Sequence, residues 1–356
     1  MKLGICGTGK IVQEVLPLLR DIKGRDASTY EALYLFAREE SAQKAERLAS
    51  SFPIDQVFYR YEDLLSSDVD MLYLALPNNL HFSFAREALL SGKHVLLEKP
   101  LCISIGEFRE LKKISLENHC LLLEAMNIYF LPAFWELKSA LPALGELRMV
   151  SLNFTQYSSR YDAFLEGDIK PCFDRACAGG ALMDLGIYNI AFCVALFGKP
   201  KAITYAPVMQ RGIDTSGVLL LDYETFVVSS IAAKDCYSPA LNTLQGEKGS
   251  ISFTSPVNQL TSFQLTLRNQ DKNTSEKEKS TAQATNPQDL RSHRLYAEFL
   301  AFPQIFRQKD QKTNEKKNTG EKNSFSYQEL LSLTETCQEI LEEARQTAGI
   351  TFPSAL

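Results

Sequence analysis

A lysine stands at the end of an apolar run in His94-Val95-Leu96-Leu97-Glu98-Lys99-Pro100-Leu101. The run His94–Leu97 reads as the end of a buried strand; a carboxylate, an ammonium and an imino acid then follow in a row. Moving a hydride from a carbinol carbon requires a proton to leave its oxygen. A lysine at that place hydrogen-bonds the oxygen, and its charge lowers the pKa of a neighbouring acid. The plain alternative is a surface lysine paired with Glu98. A second set lies in Gly179-Gly180-Ala181-Leu182-Met183-Asp184-Leu185-Gly186-Ile187-Tyr188. Asp184 and Tyr188 are spaced i, i+4, so on a helix they share one face. An aspartate in an otherwise apolar helix is costly without partners. A phenol titrates near about 10, and a nearby ammonium would bring it down and make it a better proton relay. The competing reading has Asp184 capping the helix and Tyr188 packing.

A third motif, Gly7-Thr8-Gly9-Lys10-Ile11-Val12, follows the first apolar run and opens the first helical pattern. It is G-x-G-x-x-V. Gly7 permits a tight turn, and Gly9 lets the backbone approach a pyrophosphate whose charge the helix N-terminus stabilises. Val12 stands where a third glycine normally allows close helix–strand packing. The second strand ends Phe36-Ala37-Arg38, with no carboxylate at its tip to bond a ribose 2′-hydroxyl. A guanidinium there suits a 2′-phosphate in charge and fork geometry, so NADP is expected over NAD, although Glu39 or Glu40 could serve a 2′-hydroxyl. Leu76-Pro77-Asn78-Asn79-Leu80-His81 follows another apolar run, Met71–Leu76. Both it and Lys99 fall just past strand ends, where a doubly wound sheet binds its ligands.

The elements that must position these groups follow from periodicity. Apolar runs Leu3–Cys6, Ala32–Ala37, Met71–Leu76, His94–Leu97 and Leu121–Leu123 alternate with amphipathic segments near Ile11–Ile22, Ala42–Ser51, Phe82–Ser91 and Ile105–Glu117. That alternation predicts an α/β domain over residues 1–123, its parallel sheet covered on both faces. From 124 to 356 the rhythm predicts an α+β domain. Helices are expected over Phe130–Ala140 and from the glycine pair to Phe197. Strands are expected at Leu147–Tyr157, Ala202–Val208, Val218–Tyr223, Phe226–Ala232, Asn242–Gln245, Ser250–Phe253 and Leu260–Leu267. Their short connections argue an antiparallel sheet. Helices Leu290–Arg307 and Tyr327–Thr347 close the chain. Ser104/Glu107 and Ser326/Glu329 have the spacing of capping boxes. The polar tracts Asn269–Gln288 and Gln308–Asn323 bury too little apolar surface to order themselves and read as surface loops.

The 356 residues suggest two domains, with 45% hydrophobic and 23% charged residues and a net charge of −5. Such a balance lacks the positive face of a nucleic-acid binder. No apolar run reads as a membrane span. The eight cysteines form no CxxC and lie apart from most of the four histidines, so neither a metal site nor a disulfide framework is expected. Free thiols fit a reducing cytoplasm.

Together these motifs resemble the glucose–fructose oxidoreductase/inositol dehydrogenase/rhizopine-catabolism (Gfo/Idh/MocA) family of NAD(P)-dependent oxidoreductases. The resemblance is carried by Gly7–Ile11, Pro77–His81, Gly92–Pro100 and Gly179–Tyr188 in this order along nearly the whole chain. Asp184-Leu185-Gly186-Ile187-Tyr188 and the closing Gly349-Ile350-Thr351-Phe352-Pro353 are most similar to the dimeric dihydrodiol dehydrogenase branch. The resemblance implies a Rossmann domain followed by a large, mostly antiparallel sheet whose open face makes homodimers or homotetramers. It also implies NADP-dependent oxidoreduction of a CH–OH group on a sugar, polyol or related small molecule. Lys99 would act at the reacting oxygen, Tyr188 as proton donor or acceptor, and Asp184 on substrate hydroxyls or on Lys99. Glu98, Asn78 and His81 would line the nicotinamide ribose, and Pro100 would fix the turn that aims Lys99. Tyr129 replaces an arginine common among relatives, which loosens any inference of substrate. Two rival functions share the fold: a non-catalytic dinucleotide-binding regulator, and a sugar–sugar oxidoreductase that keeps its cofactor bound.

Overall fold

The structure is a computed structural model describing residues 1–268, 275–280, 289–310 and 323–353. The chain divides into two compact units. One comprises Met1–Asn127 with Asn286–Leu331, the other Ile128–Thr285 with Ser332–Leu356. The first break lies four residues beyond the expected 123/124 boundary, and residues 286–331 return to the first unit.

The first unit is built on six parallel strands: β1 (Lys2–Cys6), β2 (Ala32–Phe36), β3 (Gln56–Phe58), β4 (Met71–Leu74), β5 (His94–Glu98) and β6 (Leu122–Ala125). They lie in the order β3-β2-β1-β4-β5-β6, the doubly wound arrangement of a dinucleotide-binding sheet. Strand direction along the order reverses its winding between β1 and β4, and loops leaving these two strands diverge there. The middles of the strands are apolar because both faces are covered; β4 is buried at every position. The helices are α1 (Lys10–Arg25), α2 (Ala42–Ser51), α3 (Tyr61–Ser66), α4 (Asn78–Leu90) and α5 (Ile105–Glu117). Ser104 starts α5 with both bonds of the capping box, as its S-x-x-E spacing predicts.

The returning segment carries α9 (Tyr296–Asp310). Its Phe299 ring meets Tyr73 edge-on at 5.2 Å, its Phe299 carbonyl accepts from the Tyr30 hydroxyl, and Tyr296 donates to Asp21 on α1. Nothing in the local periodicity of Leu290–Arg307 announces that destination.

The second unit centres on an eight-stranded sheet: β7 (Leu147–Thr155), β8 (Ala202–Gln210), β9 (Ile213–Asp222), β10 (Val227–Ala233), β11 (Asn242–Gly246), β12 (Gly249–Phe253), β13 (Phe263–Arg268) and β14 (Ser275–Ser280), ordered β14-β13-β12-β11-β7-β10-β9-β8. All neighbours are antiparallel except β7 with β10. The expected loop Asn269–Gln288 is thus interrupted by a strand, Ser275–Ser280, paired with β13 along its whole length. Backbone pairing alone satisfies a strand at a sheet edge, so no apolar alternation is needed to make one. The tract beyond Asp310 up to residue 322 lies outside the described residues.

Helices α6 (Pro132–Ala140), α7 (Tyr161–Glu166) and α8 (Ile187–Phe197) belong to the same unit. An 18-residue window within Arg175–Phe197 is apolar enough to cross a membrane, which the sequence reading did not foresee, but 83% of that window is buried inside the protein, the mark of a core helix. The last helix is α10 (Tyr327–Thr347).

Candidate functional site

Three loops leave the carboxyl ends of adjacent strands in the first unit and are tied together by backbone bonds. After β1, the Gly7 N–H donates to the Phe36 carbonyl at the end of β2. Gly7 has φ +118°, and a Cβ there would lie 2.5 Å from the Ala75 carbonyl oxygen; only glycine allows the β1 and β4 loops to approach this closely. Gly9 differs. Its φ is −66° and a Cβ would meet nothing within 4 Å. It occupies the N-cap of α1, where no side chain caps the free amides and no acidic residue fills the first turn. The uncapped amides and the clear space beside them fit a dinucleotide pyrophosphate, which would take the place of a capping side chain. Val12 is wholly buried. Thr8 is buried, Ile11 half-buried and Lys10 exposed around the same turn.

Ala37 continues the β2 edge, its N–H donating to the Phe58 carbonyl. Arg38 beyond it is exposed and stands 3.9 Å from Glu40, an ion pair of little worth in water.

After β4, Leu76-Pro77 leads into α4, which begins at Asn78. Asn79 in its first turn buries an Oδ1 with no hydrogen-bond partner among the described residues, a second feature that suits a polar ligand. His81 was expected to line the ribose. It is instead wholly buried: Nδ1 lies 2.9 Å from the Pro100 carbonyl and Nε2 2.9 Å from the Leu76 carbonyl. The ring sits behind the loops and ties the β4 exit to the β5 exit. Burial holds its pKa below the usual histidine value, although both carbonyls pull the other way.

After β5 come Glu98, Lys99 and Pro100, with a cis Lys99–Pro100 peptide. Lys99 is half-buried. Glu98 receives the Tyr73 hydroxyl at 2.5 Å. Burial pushes the Glu98 carboxyl up, opposed by the Tyr73 bond and by the charge of Lys99. The Leu101 N–H, one residue past the cis bond, donates to the buried Glu124 on β6 at 2.9 Å.

In the second unit the glycine pair leads into a π-helical turn, Leu182–Gly186, and then α8. Asp184 lies in the π turn and Tyr188 in the first turn of α8, so the two do not sit on one regular α-helix as the spacing argument assumed. π turns recur at functional sites. Tyr188 is 9% exposed, with its ring 5.8 Å from that of Phe154 on β7. Asp184 is not a cap. Its Oδ2 accepts from the Lys234 ammonium at 2.9 Å. The start of the turn is held by Asp214 on β9, whose Oδ2 accepts from the Leu182 N–H and the Tyr205 hydroxyl, each at 2.7 Å. Gly180 makes room for that carboxylate: at φ +142°, a Cβ would fall 2.1 Å from Asp214 Oδ1.

Lys234 and Asp214 escaped the sequence reading. Ile231-Ala232-Ala233-Lys234 carries the signal that drew attention to Lys99, a lysine closing an apolar strand. Asp214 was hidden because it fell between the expected strands Ala202–Val208 and Val218–Tyr223, whereas β9 begins at Ile213.

Comparison with known proteins agrees with this architecture. The oxidoreductase family GFO/IDH/MocA, with an NAD-binding Rossmann fold, matches residues 1–126, and that family's C-terminal domain matches residues 140–252. The uncharacterised oxidoreductase YgjR of Escherichia coli (strain K12) is 34% identical over 70% of this chain and 75% of its own length. IolU of Bacillus subtilis (strain 168), a scyllo-inositol 2-dehydrogenase (NADP+), shares 34% over the same proportions. The human trans-1,2-dihydrobenzene-1,2-diol dehydrogenase shares 28% over 72% of this chain and 75% of its length. Among solved structures, KijD10, a 3-ketoreductase from Actinomadura kijaniata in complex with NADP and TDP-benzene, superposes with a TM-score of 0.77 at 20% identity, covering 98% of this chain and 97% of that one; at this identity the likeness speaks for the fold alone. The chain belongs to the GFO/IDH/MocA oxidoreductase family.

Proposed function

We propose that the protein is an NADP(H)-dependent oxidoreductase acting on a CH–OH group of a sugar, polyol or related small molecule. The observation that carries this reading is the convergence of three loops at the carboxyl ends of β1, β4 and β5, at the point where the sheet changes its winding. They bring an uncapped helix N-terminus, an orphaned buried amide oxygen on Asn79 and the half-buried Lys99 to one edge. Gly7, Thr8, Gly9, Lys10 and Ile11 would hold the pyrophosphate. Ala37 would border the adenosine ribose, and Arg38 would meet a 2′-phosphate. Leu76, Pro77, Asn78 and Glu98 would border the nicotinamide end, with His81 bracing them from behind. When bound, the nicotinamide supplies or accepts the hydride. Lys99 holds the substrate oxygen and its charge; Tyr188 gives or takes the hydroxyl proton; Asp184 holds a substrate hydroxyl. The NADP dependence of IolU supports the choice of cofactor.

The test is reduction of NADP+ by a panel containing scyllo-inositol, trans-1,2-dihydrobenzene-1,2-diol and common hexoses, followed by the absorbance of the reduced nicotinamide. Turnover with NADP+ exceeding that with NAD+, and loss of that preference in Arg38→Ala, is expected. No turnover on any member with either cofactor overturns the reading.

A second copy of the chain is the proposed partner. On β9 Val218 and Leu220 face outward while Leu219 and Leu221 face the core, and Val227 on β10 lies beside Met149 on β7 in the register, both exposed. Such an apolar face on a sheet suits an isologous dimer. Sedimentation equilibrium giving only monomer at micromolar concentration overturns this part. A cytoplasmic home belongs to the same proposal; the eight cysteines are all free thiols.

A further inference from the structure

Lys234 immediately follows β10, and its side chain is only 2% exposed. Its Nζ donates to Asp184 Oδ2 at 2.9 Å and to the Cys172 carbonyl at 2.6 Å, and it stands 4.3 Å from the centre of the Phe173 ring. These three contacts account for the three protons of the ammonium. Its backbone is pinned as well: the Lys234 N–H donates to Thr215 and its carbonyl accepts from Ser158. The cation therefore has one place to be, and the partner it shares with solvent is Asp184, whose side chain is 36% exposed.

Stability does not explain such a lysine. Taking an ammonium out of water costs several kcal/mol before its partners offset it, and apolar replacements for a buried ion pair are often neutral or stabilising. An apolar side chain of equal length would fill the space above Phe173. What it would not do is fix a carboxylate that lies in a π turn, at the mouth of which Asp214 and Gly180 already determine the backbone path.

We propose that Lys234 is a positioning residue that holds the Asp184 carboxylate in a single orientation for binding a substrate hydroxyl. This rests on the placing of Asp184 in the substrate site made above. Lys234 touches no reacting atom; it acts through Asp184 alone.

The experiment is a double-mutant cycle of Lys234→Met and Asp184→Asn, with scyllo-inositol as probe or whichever polyol of the panel turns over fastest. Each single variant is expected to raise KM about tenfold or more while kcat falls by less than about threefold and NADP+ affinity is unchanged, because ground-state binding of a hydroxyl is lost and the reacting centre is intact. The double variant is expected to match the worse single variant within about twofold, since the two residues act as one device. Additive losses overturn the proposal. If Asp184→Asn leaves KM unchanged, the placing of Asp184 in the site fails; if Asp184→Asn raises KM and Lys234→Met does not, the positioning role alone fails. Should Lys234→Met not fold, Lys234→Gln keeps donors without charge and takes its place in the cycle. A crystal structure of the folded variant gives a check independent of turnover: Asp184 in its original rotamer overturns the proposal, and a displaced carboxylate bears it out.

Discussion

In the second unit Lys234 is buried, bonded to Asp184, and adjoined by Asp214, a carboxylate with two donors of its own. In the first unit Lys99 is half-buried, and the carboxyls behind it, Glu98, Glu124 and Glu298, crowd one another. Both lysines close an apolar strand. The difference lies in what surrounds them. Opposite charges and fitted donors commit Lys234 to a scaffold; Lys99 stays half-buried, and the proposed function has it meet a ligand. A strand-end lysine is thus a sign of a site without saying which part it plays, and accessibility decides between holding and reacting. The same contrast runs through the glycines. Gly180 and Gly7 serve the protein's own packing, whereas Gly9 leaves clear space for a ligand.

The sharpest way to break this comparison is at Lys99. If its partial exposure marks a reacting group, Lys99→Met lowers kcat/KM by about a thousandfold, within the range of general acid–base contributions, while NADP+ binding by fluorescence quenching survives. Loss of cofactor binding together with activity would give Lys99 the same scaffold role as Lys234 and erase the distinction.

The glycines offer the next largest effect. Gly180→Ala must adopt a left-handed backbone and push a carboxylate aside, so a stability loss of about 2–4 kcal/mol is expected in thermal melts. Gly9→Ala has ordinary φ and open space, so stability should change by less than about 1 kcal/mol, while NADP+ affinity falls tenfold or more, about 1.4 kcal/mol. Equal destabilisation by both would mean that the space beside Gly9 is not spare.

How much of this was legible follows from where each signal lives. The first-unit strands β1, β2, β4, β5 and β6 were readable because each is a continuous apolar run between amphipathic helices. β3, with three residues, and α3 are too short to show a period. The return of α9 to the first unit was invisible because it depends on which surface Phe299 finds, not on its own spacing. The glycine turn, Pro77–His81 and Lys99 were legible as motifs, each at a strand end. His81 was misplaced because a motif names a residue without saying whether its ring faces the ligand or the core. The Asp184 partner required β10 to lie beside the π turn, a contact 50 residues away along the chain.

The smallest effect tests the buried acids of the first unit. Glu298 is 1% exposed, and its Oε1 has no hydrogen-bond partner among the described residues. Burial, and then repulsion from Glu98, holds its carboxyl well above the ordinary carboxylate range, with Arg294 pulling it back. A group whose pKa is raised on folding binds its proton more tightly in the folded state. Its contribution is fully present below the unfolded value, near about 4.3, and is lost as pH rises through the folded value. Asp214 is raised by burial too, but its two donors and Lys234 oppose the shift. Glu298→Gln keeps the shape and removes the ionisation. The variant should therefore melt close to the native protein below about pH 4 and above it at alkaline pH, by a margin that grows to about 1–3 kcal/mol, the cost of an unsatisfied buried group. Parallel melting curves across that range would place Glu298 in the same fitted company as Asp214, and the crowding of acids behind Lys99 would no longer distinguish the two units.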